Sequence, residues 1–179
     1  YGFDFSQRLN DRFGIAGGVK YSKRKTSTDN MEMEGWGETD DGIVFADAVE
    51  YRDYDVERER TGVSFTVDYK LSEQTELYAR TLYSQFDDLE LRRRLVLEMD
   101  EDPSSGDAST AFFDSADGEI SVRRGIKDRF ESQDIQTFEL GGVTNTGGWN
   151  FDYKISFASA SEHEYKTQDP TRFRNDFDE

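Results

Sequence analysis

Val63-Ser64-Phe65-Thr66-Val67-Asp68-Tyr69-Lys70-Leu71 runs into the turn-rich Ser72-Glu73-Gln74-Thr75, and Leu77-Tyr78-Ala79-Arg80-Thr81-Leu82-Tyr83-Ser84-Gln85 follows. Apolar residues alternate with polar ones on both sides of the turn. A period of two means extended strands with one apolar face. The same alternation occupies 13–21 (Phe13, Ile15, Gly17, Val19, Tyr21) and 149–157 (Trp149, Phe151, Tyr153, Ile155, Phe157). Each band is about nine residues long. A strand tilted by roughly 40° needs about 9–11 residues to cross the hydrocarbon of a bilayer. The bands therefore predict strands whose apolar face meets lipid.

Parity sets the pairing. Around the central turn, Tyr69 opposite Leu77, Val67 opposite Ala79, Phe65 opposite Thr81 and Val63 opposite Tyr83 keep the apolar set on one face. Turn residues at Asn10-Asp11-Arg12 pair an opening strand with the first band: Phe5 meets Gly17, Phe3 meets Val19 and Tyr1 meets Tyr21. A third turn, Asn145-Thr146-Gly147-Gly148, leaves a choice, because Ile135 and Val143 share one parity while Phe138 and Leu140 share the other. Phe138 and Leu140 are taken as outward, since the alternative points Glu139 at lipid; a bulge near Gly141-Gly142 would reconcile the two sets. The opposite faces carry Lys20, Asp68, Lys70, Arg80, Asn150, Asp152 and Lys154. Trp149, Tyr69 and Phe13 stand beside the short turns and Tyr21, Tyr83 and Val63 at the other end. That placing suits an interfacial girdle, although aromatics favour any strand.

The three turns lie roughly 60–75 residues apart, with polar stretches near 24–50, 86–125 and 160–179 between and after them. The expected fold is all-β: an antiparallel up-and-down meander of about six long strands, forming part of a transmembrane barrel. The short turns would lie on the periplasmic side and the long polar stretches would be extracellular loops. The alternation persists in charged form through Tyr51–Arg60 and Asp87–Arg94, and the same register sets Arg58 near Asp88 and Asp53 near Arg93.

Composition agrees. The 179 residues hold 39 acidic and 22 basic side chains, a net charge of −17, which makes nucleic acid a poor partner. Only 34% of residues are apolar yet 14% are aromatic, as expected when apolar residues are gathered into bands. No cysteine is present, so no thiolate site or disulfide arises. No run approaches the length of a transmembrane helix.

Little in the chain suggests chemistry. The single histidine, His163, has no oriented partner or nucleophile in sequence. The acidic pieces Asp100-Glu101-Asp102 and Asp114-Ser115-Ala116-Asp117-Gly118 do not match a calcium-loop spacing. No enzyme activity, metal or cofactor is expected. Alternation sends Arg93 to one face and Arg92 and Arg94 to the other, so these three do not make one basic patch. Trp36, Tyr51 and Tyr54, with Phe112 and Phe113, are the candidate ligand-stacking aromatics; aromatics that anchor loops explain them equally well. The lipid-facing set is Phe13, Ile15, Val19, Tyr21, Val63, Phe65, Val67, Tyr69, Leu77, Tyr83, Phe138, Leu140, Trp149, Phe151, Tyr153, Ile155 and Phe157.

Three segments carry a resemblance. Tyr54–Gly62, Thr75–Arg80 leading to Phe86–Arg94, and Lys127–Ile135 resemble the barrel of TonB-dependent outer-membrane receptors, in the flavour typical of Caulobacter- and Xanthomonas-like bacteria. The resemblance implies a twenty-two-stranded barrel closed by a plug in the full-length family. It places the protein in the outer membrane of a Gram-negative bacterium, among lipid and lipopolysaccharide. There it imports a scarce nutrient, such as an oligosaccharide or siderophore, with energy relayed by TonB. Residues 1–179 then read as an internal barrel fragment without plug, since about six strands cannot close such a barrel. The other reading is a soluble antiparallel β module that binds carbohydrate or mediates adhesion through Trp36 and the tyrosines. In that case the apolar faces would stack against each other.

Overall fold

The computed structural model describes residues 1–114 and 120–177. Nine strands are present among them: β1 (Gly2–Arg8), β2 (Phe13–Glu38), β3 (Val44–Lys70), β4 (Thr75–Met99), β5 (Ser105–Gly106), β6 (Ala111–Phe112), β7 (Ile120–Thr146), β8 (Trp149–Glu164) and β9 (Gln168–Phe177). The main sheet has the order β1-β2-β3-β4-β7-β8, with β9 also on β7; β5 and β6 form a separate small hairpin. The fold is all-β and its main sheet runs up and down.

Turn chemistry explains the hairpins. Asn10 Oδ1 accepts the Arg12 amide at 2.9 Å. Ser72 Oγ accepts the amides of Gln74 and Thr75 at 3.2 and 3.1 Å. Such side chains stand in for backbone acceptors in tight turns. Gly147 and Gly148 take φ of 53° and 83°. Two successive positive φ values make the hairpin turn whose twist matches its strands, and glycine adopts them without a Cβ penalty.

The pairings follow the expected parity. Phe3 sits opposite Val19 and Phe5 opposite Gly17, and the Tyr21 amide donates to the Tyr1 carbonyl at 2.8 Å. In the third hairpin Phe138 pairs with Phe157 and Leu140 with Ile155, and the register runs from Glu131 to Thr146 without a shift. No bulge is therefore needed at Gly141-Gly142. Ile135 lies on the other parity and is exposed there.

The polar stretches differ from expectation. Residues 24–38 and 44–50, within the expected loop 24–50, are strand, leaving a turn at 39–43. Residues 86–99 are strand as well, as the charged alternation through 87–94 suggests; 120–125 are likewise strand, and 160–177 supplies the end of β8 and then β9. The reason is that polar residues pair into sheet readily when each strand's charges meet opposite charges on the next.

By contact density the chain divides into two compact units, the strands β2, β3, β4 and β7 contributing to both. Unit 1 is Tyr1–Arg24, Arg58–Asp88 and Glu131–Glu164; unit 2 is Lys25–Glu57, Leu89–Phe130 and Tyr165–Glu179. Among the described residues the buried hydrophobic side chains are Ile43, Ala48 and Val96, all in unit 2. There the Val44 amide donates to the Asp107 carbonyl at 3.3 Å, and Phe45 meets Phe113 edge-on at 6.2 Å. These contacts fasten the β5–β6 hairpin to the start of β3.

Candidate functional site: an apolar band and a charged lattice

Unit 1 presents two chemically opposite faces. On one, Phe13 meets Tyr69 edge-on at 6.4 Å, and Trp149 stacks on Phe151 at 6.4 Å. A Cβ on Gly142 would touch Leu77 and the Tyr153 hydroxyl, and one on Gly17 would touch the Phe5 ring at 2.9 Å. Aromatic rings thus cover the bare backbone at these glycines. Of the seventeen residues expected on this face, none is buried; Phe13, Ile15, Val67, Leu77 and Tyr83 are half-buried and the other twelve exposed. Phe157 and Ile155 reach 67% and 72% exposure. A soluble sheet of this size hides such side chains under a second layer. Among the described residues none covers them.

The other face carries charge. Lys20 lies 3.8 Å from Asp4, Arg80 and Lys154 both approach Glu139, at 3.5 and 3.6 Å, and Arg80 lies over the Tyr78 ring at 4.0 Å. Glu139 therefore points away from the apolar face, as its choice of parity required.

Unit 2 adds a set of ion pairs to its few buried apolar side chains. Lys25 meets Glu57 at 2.5 Å, and Ser27 donates to Asp55 at 2.6 Å. Arg93 meets Asp53 at 2.9 Å. In unit 1, Arg58 meets Asp88 at 3.4 Å; both pairs named from sequence register are thus present. Arg92 donates to the Tyr54 hydroxyl at 3.3 Å and Arg94 to Glu50 at 3.2 Å, so the three consecutive arginines do separate.

The densest part surrounds Arg52. Its guanidinium donates to Glu50 at 2.6 Å and also pairs with Glu32 and Glu34. The side chains of Glu50 and Arg52 are 3% and 15% exposed, so these charges are held mostly out of water. Burial opposes the arginine's charge, but Glu50 and its companions outweigh it and hold the Arg52 pKa above its ordinary value.

The candidate aromatics do not converge. Trp36 is exposed on β2. Tyr54 lies beneath Arg92 at 5.7 Å. Tyr51 lines a concavity of unit 2 with Arg93, Leu95, Arg124, Ile126 and Phe173; Trp36 and Tyr54 are not among its walls. Phe112 is exposed. His163 is exposed on β8, opposite Ser132. Asp100 accepts from Arg174 at 3.0 Å, and residues 115–118 of the second acidic piece lie outside the described residues. Sequence reading missed one acidic group. Glu131, Glu162 and Glu164 bring carboxylate oxygens within 4.8 Å of one another, with Gln133 donating to Glu131 and Glu162. It is invisible until β7 and β8 are placed in register.

Compared with known proteins, the sequence matches no family model and no curated protein.

Proposed function

We propose that this chain is a wall segment of a TonB-dependent outer-membrane receptor, a carrier of scarce nutrients without chemistry of its own. The observation that carries the reading is the uncovered apolar face of unit 1 backed by a charged face. Lipid on one side and a watery lumen on the other would satisfy both. Phe65, Val67, Ile155 and Phe157 form the apolar band on this reading, while Asp68, Arg80, Glu139 and Lys154 line the lumen. The ion-paired strands of unit 2 suit an aqueous setting. The exposed apolar side chains tell against a soluble carbohydrate-binding sandwich, in which a second sheet would bury them. No helix among the described residues is long and apolar enough to cross a membrane, which leaves strands as the spanning elements of this proposal.

Fractionation of the native protein tests the reading. It is expected to sediment with the outer membrane and to need detergent for release. In a Trp36→Phe background, Trp149 emission should then be quenched by lipids brominated on their acyl chains. Extraction in plain buffer as a monomer would overturn the proposal. So would Trp149 emission indifferent to brominated lipid.

A further inference from the structure

Unit 2 contains a concavity of about 980 Å³ that spans β2, β3, β4, β7 and β9. Four arginines are among its lining residues, Arg52, Arg93, Arg94 and Arg124, with strand alternation sending the Arg93 side chain to the face opposite that of Arg52 and Arg94. Three are already committed to carboxylates of the chain. Arg52 is held by Glu50, Glu32 and Glu34, Arg93 by Asp53 and Asp55, and Arg94 by Glu50. The Arg124 side chain has no hydrogen bond or ion pair among the described residues. In a chain of net charge −17, where acids outnumber bases, a cation left over in a concavity is informative.

Its surroundings add shape. Arg124 stands opposite Phe173 in the β7–β9 register, and Tyr51, Leu95 and Ile126 supply further apolar wall. Tyr51 and Phe173 remain 47% and 68% exposed, so the aromatic surface beside the guanidinium is not filled by the chain itself. Small-molecule sites have this make-up, a mostly apolar wall with few polar groups, in volumes of about 300–1,000 Å³. Asp29 and Asp53 also line the concavity. They repel a second negative charge, which disfavours a phosphate dianion.

We propose that the concavity binds an organic monoanion with a flat apolar body, its carboxylate gripped by Arg124 and its body laid on Tyr51 and Phe173. A planar guanidinium matches a carboxylate by paired hydrogen bonds, and aromatic rings give the body a stacking surface. The proposal stands on unit 2 alone and does not require the membrane reading, so either can fail without the other.

Titration of the purified chain with trans-cinnamate tests it, followed by saturation-transfer NMR and calorimetry, with every variant in the same detergent. Cinnamate is expected to bind saturably, and its neutral amide and phenyl phosphate to bind at least about tenfold more weakly, as follows from loss of a charge-assisted hydrogen bond or from added repulsion. Arg124→Ala should weaken cinnamate by about tenfold or more, Phe173→Ala by less, and Arg124→Lys should fall between wild type and Arg124→Ala. Arg172→Ala, which removes a neighbouring exposed cation outside the concavity, should leave affinity unchanged. Circular dichroism checks that each variant keeps its sheet. The proposal is overturned if cinnamate does not saturate, if acid and amide bind alike, or if Arg124→Ala and Arg172→Ala have the same effect.

Discussion

Unit 1 and unit 2 draw on the same four long strands and are held together by different forces. In unit 1 apolar and polar residues alternate, and large side chains such as Phe65, Phe138 and Ile155 remain exposed. In unit 2 the alternation continues, but many of the positions carry charge, and the strands are tied by pairs such as Lys25–Glu57, Arg93–Asp53 and Arg52–Glu50. Backbone hydrogen bonding is common to both. What the side chains need from their surroundings differs, and that difference is the physical content of the wall proposal. A face that stabilises nothing in water makes sense against lipid, while a lattice of ion pairs makes sense in water.

The largest expected effect breaks unit 2 and spares unit 1. Removing one partner of a buried ion pair costs about 3–5 kcal/mol, because the other charge stays buried. Glu50→Ala deprives both Arg52 and Arg94 of a carboxylate. It should abolish slow hydrogen exchange across residues 44–57 while leaving residues 63–71 protected. Lys25→Ala is the control. Its side chain is 72% exposed, and surface pairs of this kind contribute only about 0–1 kcal/mol. Equal effects of the two substitutions would mean that the Glu50 network is not what holds unit 2.

The next tests the two faces of unit 1 against each other. Phe65→Arg places a cation where the proposal has lipid, at a cost of about 2–4 kcal/mol near the bilayer midplane. Asp68→Arg makes a similar change on the charged face, where water solvates the new side chain. Membrane assembly of the native protein, read as heat-modifiable migration on gels, should fall sharply for the first and little for the second. Equal tolerance of both would remove the distinction between the faces.

A smaller effect probes how closely β4, β7 and β8 approach within unit 1. A Cβ at Gly141 would lie 2.5 Å from Tyr78 Cζ and 2.8 Å from the Tyr153 carbonyl oxygen. The tyrosine can swing away, but the carbonyl belongs to the sheet. Gly141→Val should therefore destabilise unit 1 by about 1–3 kcal/mol, in the range of other overpacking substitutions. Tyr78→Ala in the same background should recover only part of it. Urea titration in detergent measures both, and full recovery would show that the backbone contact is unimportant.

How far the sequence disclosed this arrangement depended on which force was at work. Where apolar residues alternate, the period of two identifies the strand and its face, so the pairing of Phe3 with Val19 and the shared outward face of Phe138 and Leu140 are legible in the sequence, while the partner of Leu140, Ile155, is fixed only by the sheet. Turn residues helped, because Asn10, Ser72 and Gly147-Gly148 have local reasons to bend the chain. Where both faces are polar and no alternation of charge shows, the signal disappears. Arg24 to Asp29 resembles any solvated loop, and only the acids at Asp55 and Glu57 across the sheet reveal a strand. The candidate aromatics were the least legible. Tyr51 and Tyr54 are three positions apart, yet only Tyr51 lines the concavity, and Arg124 gains meaning only once the other three arginines are seen to be occupied.

The smallest effect concerns the β5–β6 hairpin of unit 2, which neither the apolar band nor the Arg52 lattice holds. Asp107 closes it: one carboxylate oxygen accepts the Ser109 amide and hydroxyl, both at 2.8 Å, and the Thr110 amide at 2.9 Å. These bonds, those from Ser109 foremost, lower the Asp107 pKa from its ordinary 3.8. A carboxylate with a depressed folded pKa stabilises fully above its unfolded value, and that contribution is lost as pH falls through the folded one. The hairpin should therefore be indifferent to pH near neutrality and loosen only below about 3.8, toward the depressed value. NMR shifts of the Ser109 and Thr110 amides should follow that titration, and Asp107→Asn should remove it while keeping an acceptor for the turn. Because the group is solvent-exposed, the change should stay local, with exchange protection in residues 44–57 unaltered. A fall in protection there over the same pH range would tie the hairpin to the Arg52 lattice and enlarge what holds unit 2.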